Sequence, residues 1–220
     1  MKPGDPIEQF PPRPRPTDNA MGSLKMESLK TMTDAELVTL TKEGNLNAFN
    51  QLAGRWESSL FGFTRRTLGN AEDARDVCQE ALVKAFQNIA RLRDGGKFKS
   101  WVHYIALNLC RDRFRSPKAR AELLPFDEST IEDAPALHGE ATDARAEQSV
   151  LSDVLQSVLE ELPQEQRSSI LLREFQGFTS EEIGEMMGVP AATVRTRIYY
   201  GLKTMRRVLE ERGIQVADFS

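Results

Sequence analysis

The sequence predicts an all-α fold of two small helical domains joined by a flexible acidic linker. Apolar residues recur at helical spacing in two blocks, with Ser, Thr or Asn at several helix starts and Gly or Pro after most helices. No segment competes with a strand pattern. Between the blocks, residues 119–147 lose periodicity and carry two basic against eight acidic groups. The expected organisation is therefore a disordered proline-rich extension at 1–32, a first helical domain at 33–118, the linker at 119–147, a second helical domain at 148–214 and a tail at 215–220.

Residues 1–20 hold six of the eleven prolines, and such a segment favours extended, solvated conformations. Thr33-Asp34-Ala35-Glu36 reads as a capping box and Gly44 as a stop. Asn47 is expected to cap a second helix, with Phe49, Leu52, Trp56, Leu60 and Phe63 as apolar positions up to Gly69. Asn70 can cap a third, in which Val77, Cys78, Ala81, Leu82, Ala85, Phe86 and Ile89 recur. Asp94-Gly95-Gly96 breaks the chain; Ser100 then opens a fourth helix with Val102, Ile105, Ala106 and Leu109 on one face, ended by Ser116-Pro117.

In the second block, Val150, Leu151, Val154, Leu155, Val158 and Leu159 form a stripe ended by Leu162-Pro163. Ile170, Leu171, Leu172 and Phe175 mark the next helix, which ends near Gly177. Thr179-Ser180-Glu181-Glu182 is a second capping box leading into Ile183, Met186 and Met187. Gly188-Val189-Pro190 is a tight turn, and the last helix directs Val194, Ile198, Leu202, Met205 and Leu209 inward.

Hydrophobic residues make up 40% and charged residues 28%, ordinary for a chain that buries a core. No apolar run approaches the roughly 18 residues of a membrane helix, and no secretory signal pattern is visible, so a cytoplasmic location without membrane insertion is expected. Two cysteines, Cys78 and Cys110, and two histidines exclude a disulfide framework and a dense zinc cluster. The cysteines fit helical cores or a redox-sensing pair. With no nucleophile–base or metal constellation, neither an enzyme nor a cofactor is expected.

The net charge of −4 hides a division of sign. Residues 179–207 form a helix-turn-helix pattern whose second helix exposes Arg195, Thr196, Arg197, Tyr199, Tyr200, Lys203, Arg206 and Arg207. Residues 195–212 hold six basic and two acidic groups, whereas residues 160–185 hold two basic and seven acidic. Positive charge is thus concentrated on the helix able to enter a major groove, where Arg reads guanine edges and other basic groups neutralise phosphates. The bland alternative is a helical hairpin with a solvated basic face.

Residues 91–118 hold eight basic groups, among them Lys97, Lys99, Arg111 and Arg115, with Phe98, Trp101, Tyr104 and Phe114 interleaved. Basic groups track a phosphate backbone while aromatic faces stack on unpaired bases. Tyr104, Asn108, Arg111 and Arg115 share one helix face. Core positions for Phe98 and Trp101 are the alternative. A third surface, Asp76, Gln79, Glu80 and Lys84 on the third helix, suits a basic protein partner or is simply solvated.

Taken in order, AEDARDVCQEALVKAF at 71–86, FKSWVHYIALNLCRDRFR at 98–115 and the segment from Leu162 to Arg207 resemble a bacterial RNA polymerase sigma factor, of the sigma-70 family and its extracytoplasmic-function (ECF) group. The resemblance covers residues 33–212 and implies sigma domains 2 and 4. By the same resemblance Asp76, Gln79 and Glu80 dock on the clamp helices of the polymerase β′ subunit. Lys97 to Trp101 form the loop that captures a flipped minus-10 base, and Asn108 helps choose that base. Arg195, Thr196 and Tyr199 face the minus-35 element, with Arg197 and Lys203 on phosphates. Tyr200 lies where a basic residue is common in the family. The implied partners are core RNA polymerase through its β′ clamp and β subunits, promoter DNA and a separate anti-sigma factor, and the implied role is control of a stress or envelope-response regulon. A competing reading is a stand-alone helix-turn-helix regulator, which leaves the aromatic-basic block without a function.

Overall fold

The structure is a computed structural model that describes residues 28–114 and 145–214, with side chains described from residue 153 onward in the second segment. The proline-rich stretch, the Ser116-Pro117 stop, Arg115 and nearly all of the acidic linker lie outside the described residues, as do the side chains of Val150 and Leu151. Within them the chain is helical and contains no strand: α1 (Asp34–Lys42), α2 (Leu46–Leu68), α3 (Ala71–Asn88), α4 (Phe98–Phe114), α5 (Arg145–Glu160), α6 (Gln164–Ile170), α7 (Ser180–Met187) and α8 (Ala191–Glu211). α6 continues through one π-helical turn, Leu171–Phe175.

Capping chemistry sets most boundaries. Both capping boxes form: Thr33 and Thr179 each accept from the backbone N–H three residues on, and Glu36 and Glu182 return the bond. Asn70 caps α3 through the N–H of Glu72. The α2 cap is Asn45, not Asn47; its side chain accepts from the N–H groups of Asn47 and Ala48, so α2 starts at Leu46. α4 likewise starts at Phe98 instead of Ser100, because Asp94 caps a 3₁₀ turn, Gly95–Lys97, that feeds directly into it. α5 begins at Arg145, inside the stretch expected as linker. Residues 28–31 form a helical turn with Leu29 buried, so the end of the expected extension belongs to the first domain.

The first domain packs α1, α3 and α4 around the long α2. Leu37, Leu52, Leu60, Phe63, Val77, Phe98 and Leu107 are fully or almost fully buried. Asp34 at the head of α1 accepts from the Trp56 indole at 2.8 Å and pairs with Arg55 at 2.5 Å, which pins α1 across α2. Gly95 is held against α1: a Cβ there would meet the Ala35 Cα at 2.7 Å.

In the second domain α8 crosses α6 at Gly201, where a Cβ would stand 2.6 Å from Ile170 Cδ1. That close approach fixes the rotation of α8. Val194, Gly201 and Val208 are buried, and Leu202, expected inward, turns out to solvent with 45% of its surface exposed. The expected stripe followed the apolar residues, but the crossing selects the smallest one.

One hydrophobic cluster runs through both domains, from Leu29 to Val194. The junction is built by α2 and α4 on one side and by α5, α6 and the π turn on the other.

Replacing Gly95 with Ala forces α1 off the turn, because the obstacle is backbone. The expected cost is about 1–3 kcal/mol, typical of overpacking, read as a lower urea midpoint. An unchanged midpoint would contradict the close approach.

Candidate nucleic-acid interface

The helix-turn-helix is the most fully specified local unit. The box at Thr179 starts α7, and Gly188 closes it in the left-handed region at φ 66°, which turns the chain toward Pro190 and α8. α8 presents Arg195, Thr196, Tyr199, Tyr200 and Lys203 as exposed side chains. The Tyr199 and Tyr200 rings meet edge to face with centroids 5.3 Å apart. Arg195 pairs with Glu181 of α7 at 3.1 Å, and Thr196 donates back to the Ala192 carbonyl. Arg197 is different: only 24% of its side chain is exposed and it reaches inward to Glu165, at 3.1 Å.

On α3, Asp76, Gln79 and Glu80 are all exposed, with Glu80 paired to Lys84 one turn on at 3.0 Å. Val83 and Phe86 are exposed beside them, although the sequence pattern placed Phe86 with the core. Phe86 instead stacks at the edge on Phe49, at 4.9 Å between centroids. The surface is thus acidic and amide-bearing with an apolar end. A groove of about 380 Å³ lined by Glu57, Phe61, Arg75, Cys78 and Gln79 runs alongside it.

The aromatic-basic block is the part that folds differently from its expected form. Phe98 and Trp101 are buried and packed on each other in the core, so neither offers a free face for stacking. Lys97, Tyr104 and Asn108 are half-buried and reach the surface. Lys99 donates to the Gln176 carbonyl at 2.6 Å and stands over the rings of Trp56 and Phe178 at 5.6 and 4.8 Å. Burial lowers its pKa, and the nearby Glu182 carboxylate opposes that shift. Arg111 pairs with Glu165 at 3.2 Å. The surface seen from the sequence as one continuous strip is in this conformation partly covered by the second domain.

That covering uses residues the sequence pattern did not single out. The π turn brings Phe178 over α4, where its ring meets His103 at 5.4 Å. Gln176 is held by the Ser59 hydroxyl at 2.5 Å, and Arg66 lies over the Phe175 ring at 4.6 Å. Arg167, itself buried, donates to the Thr67 carbonyl of α2 at 2.7 Å and to the Glu160 carbonyl at 2.9 Å. His103 is completely buried between Trp56, Phe63 and Phe178. Its Nδ1 lies 2.8 Å from the Lys99 carbonyl, which makes that nitrogen the donor. Desolvation drives its pKa down to about 4 and outweighs the opposing pull of the Lys99 carbonyl.

The cysteine alternative has no reactive thiolate behind it. Cys78 and Cys110 are both buried, and desolvation pushes their thiols up to about 11 and about 12. Among the described residues no cluster of His, Cys, Asp and Glu could hold a metal ion, and no helix is long and apolar enough to cross a membrane.

Residues 52–120 match the family described as Sigma-70 region 2, and residues 152–205 match Sigma-70, region 4. The chain is 30% identical over 174 residues to the ECF RNA polymerase sigma factor SigW of Bacillus subtilis, a match that covers 77% of this chain and 93% of that one. It is 31% identical over 176 residues to the ECF RNA polymerase sigma-E factor of Haemophilus influenzae, over 76% and 90% of the two chains.

This chain belongs to the ECF sigma factors.

Solved structures agree on the fold. CnrH in complex with the cytosolic domain of CnrY aligns with a TM-score of 0.60 at 24% identity, over 81% of this chain and 97% of that one. The sigma factor RpoE in complex with the anti-sigma factor NepR from Bartonella quintana aligns with a TM-score of 0.55 at 21% identity, over 74% and 96%. As an ECF sigma factor the chain is a promoter-recognising transcription-initiation factor. Its region 2 takes in most of α2, with α3 and α4, and its region 4 runs from residue 152 within α5 to residue 205 within α8.

His103 gives the sigma factor a pH signature. Below pH 6.5 the unfolded chain takes up a proton that the folded imidazole accepts only near pH 4. Stability therefore falls as pH drops from about 6.5 to about 4, by on the order of 3 kcal/mol from this group. Thermal denaturation against pH is expected to show a shallower decline for His103→Gln than for the wild type in that window. Identical slopes would mean that the ring is solvated.

Proposed function

We propose that this sigma factor binds core RNA polymerase through the exposed face of α3 and reads its promoter through α4 and α8. The observation that carries the reading is the outer face of α8, where Arg195, Thr196 and Tyr199 project from a capped helix-turn-helix whose inner face is buried. Arg195 is long enough to take a guanine edge bidentately once it leaves Glu181, and Lys203, Tyr200 and Arg197 suit flanking phosphates.

Asp76, Gln79 and Glu80 offer an acidic, hydrogen-bonding face to the β′ clamp, with Val83 and Phe86 adding apolar contact at one end. The minus-10 surface is narrower than the sequence pattern. Lys97, Lys99, Tyr104, Asn108 and Arg111 are the side chains able to reach DNA, with Arg115 expected to extend the strip. Phe98 and Trp101 serve beneath it as the packed floor that fixes the turn carrying Lys97 and Lys99. Flipping a promoter base out of the stack costs a few kcal/mol. A surface that holds the extruded base and its phosphates favours the melted state and shifts the duplex toward it.

The alignments with complexes of CnrH and of RpoE support a separate anti-sigma factor as a further partner, and the family supports a stress or envelope-response regulon. No membrane insertion is required of the chain itself.

Two measurements test the reading. Co-elution with bacterial core RNA polymerase in size-exclusion chromatography is expected for the wild type and is expected to be lost in an Asp76/Gln79/Glu80 triple-alanine variant that still melts cooperatively. Wild-type protein that never co-elutes would favour a stand-alone regulator. With polymerase present, Arg195→Ala is expected to lose about 1–3 kcal/mol of discrimination between a preferred and a scrambled minus-35 element. Retained discrimination would remove Arg195 from base readout.

A further inference from the structure

The groove between α2 and α3 has the chemistry of a peptide site. Phe61 gives it a half-buried aromatic surface, and the Arg75 guanidinium stands 6.0 Å from that ring's centre. Its surroundings are acidic. Glu57 on the α2 side and Asp76 on α3 are exposed, and among the described residues neither is paired with a basic side chain. Residues 71–80 carry four acidic groups against one basic. An aromatic slot edged by unpaired carboxylates suits an extended segment of prolines with arginines between them. The polyproline II backbone enters such a groove with little entropy to lose, and the guanidinium groups take the carboxylates.

The chain carries a segment of this kind. Phe10-Pro11-Pro12-Arg13-Pro14-Arg15-Pro16 holds two arginines and no acidic residue. In a polyproline II helix Pro11 and Pro14 share one face and stand about 9 Å apart. Gly54 to Phe61, the stretch of α2 that lines the groove, runs about 10 Å. The chain also enters its described fold beside the groove. Leu29 is buried, and Arg55 of α2 donates to the carbonyls of Lys30 at 3.4 Å and Met32 at 2.7 Å. Arg55 is the immediate neighbour of Gly54 on α2. Ser28 follows Pro16 by twelve positions, a link that reaches about 40 Å when extended and about 20 Å on average when flexible. A tether of that length presents the segment to the groove at an effective concentration on the order of millimolar, enough to populate a weak contact.

We infer that the α2–α3 groove is the docking site of the chain's own Pro11–Arg15 segment, and that the docked segment competes with core RNA polymerase for the α3 face. The competition rests on the reading of Asp76, Gln79 and Glu80 as the polymerase-binding face; the docking does not.

The segment offers two independent handles in the full-length chain. Arg13→Glu with Arg15→Glu reverses its charge. Pro11→Gly with Pro14→Gly keeps the charge and removes the polyproline backbone. Lys2→Glu with Lys25→Glu makes the same change in net charge outside the segment. The test records amide NMR spectra of these three variants and of the wild type at several protein concentrations, and measures the affinity of each for core polymerase.

The resonances of Gly54, Ser58, Phe61 and Gln79 are expected to move in both segment variants and to stay in place in the Lys2/Lys25 control, at every concentration. A synthetic peptide of residues 9–17, added to the Arg13/Arg15 variant, is expected to return them toward their wild-type positions and to bind several-fold more weakly when Glu57→Lys is also present. Polymerase binding is expected to tighten about tenfold in the segment variants if nine chains in ten are docked. Groove resonances that match the wild type in both segment variants would overturn the docking. Changes confined to residues 119–147 would place the segment on the acidic linker and overturn it too, as would differences that fade on dilution, which mean docking on a second copy. Equal changes in the Lys2/Lys25 control would reduce the effect to net charge and overturn it. Docking with no gain in polymerase affinity would overturn the competition if the Asp76/Gln79/Glu80 triple-alanine variant loses polymerase. If that variant still binds polymerase, the reading of the α3 face has failed and the docking stands.

Discussion

A single guanidinium, that of Arg167, ties the ends of two helices that belong to different domains. The last carbonyls of any helix lack an intrahelical partner and carry the negative end of its dipole. Arg167 donates to the Thr67 carbonyl in the last turn of α2 and to the Glu160 carbonyl at the end of α5. It is itself almost wholly buried, and burial lowers its pKa. A buried cation is costly unless it is hydrogen-bonded, and the two helix ends supply acceptors that would otherwise be orphaned. The position of α6 relative to α2 follows from this, and with it the position of the π turn, of Phe178 and of Glu165.

Much of the molecule's polar economy sits along that junction. His103, neutral and fully enclosed, separates the aromatic rings of the first domain from Phe178 of the second. Lys99 and Arg66 lie over rings contributed by the second domain, where desolvation strengthens the attraction between cation and ring. These contacts are specific in direction but individually modest, and they join two units that each have their own buried centre. Such a junction can be stable in the free chain and still yield to a larger interface. The surfaces turned outward, the α3 face and the Arg195–Tyr199 face of α8, are those that closure leaves untouched.

Several sequence blocks specify local structure as much as contacts. The capping boxes at Thr33 and Thr179, the glycine at 188 and the aliphatic spacing of α2 and α7 all act within a few residues of themselves. Two family regions are recognisable at a sequence identity near 30%.

The sequence by itself determined the class of the fold, the order of the helices, both capping boxes, the helix-turn-helix and the exposed faces of α3 and α8, because caps and helical periodicity are set by neighbours along the chain. It misplaced the start of α2, where two asparagines two residues apart compete for one cap. It also misplaced Leu202 and Phe86, where the rotation of a helix is chosen by the closest crossing and not by the count of apolar residues. It offered core or stacking roles for Phe98 and Trp101, and only packing decided between them. α4 is buried on the side of Val102 and Leu109 by its own domain and on the side of His103 by Phe178, so no amphipathic pattern announces the second contact. The shared carboxylate of Glu165 is the extreme case. Its partners lie 54 residues before it, in the other domain, and 32 after it, beyond the helix-turn-helix turn, and no spacing rule relates residues so far apart along the chain.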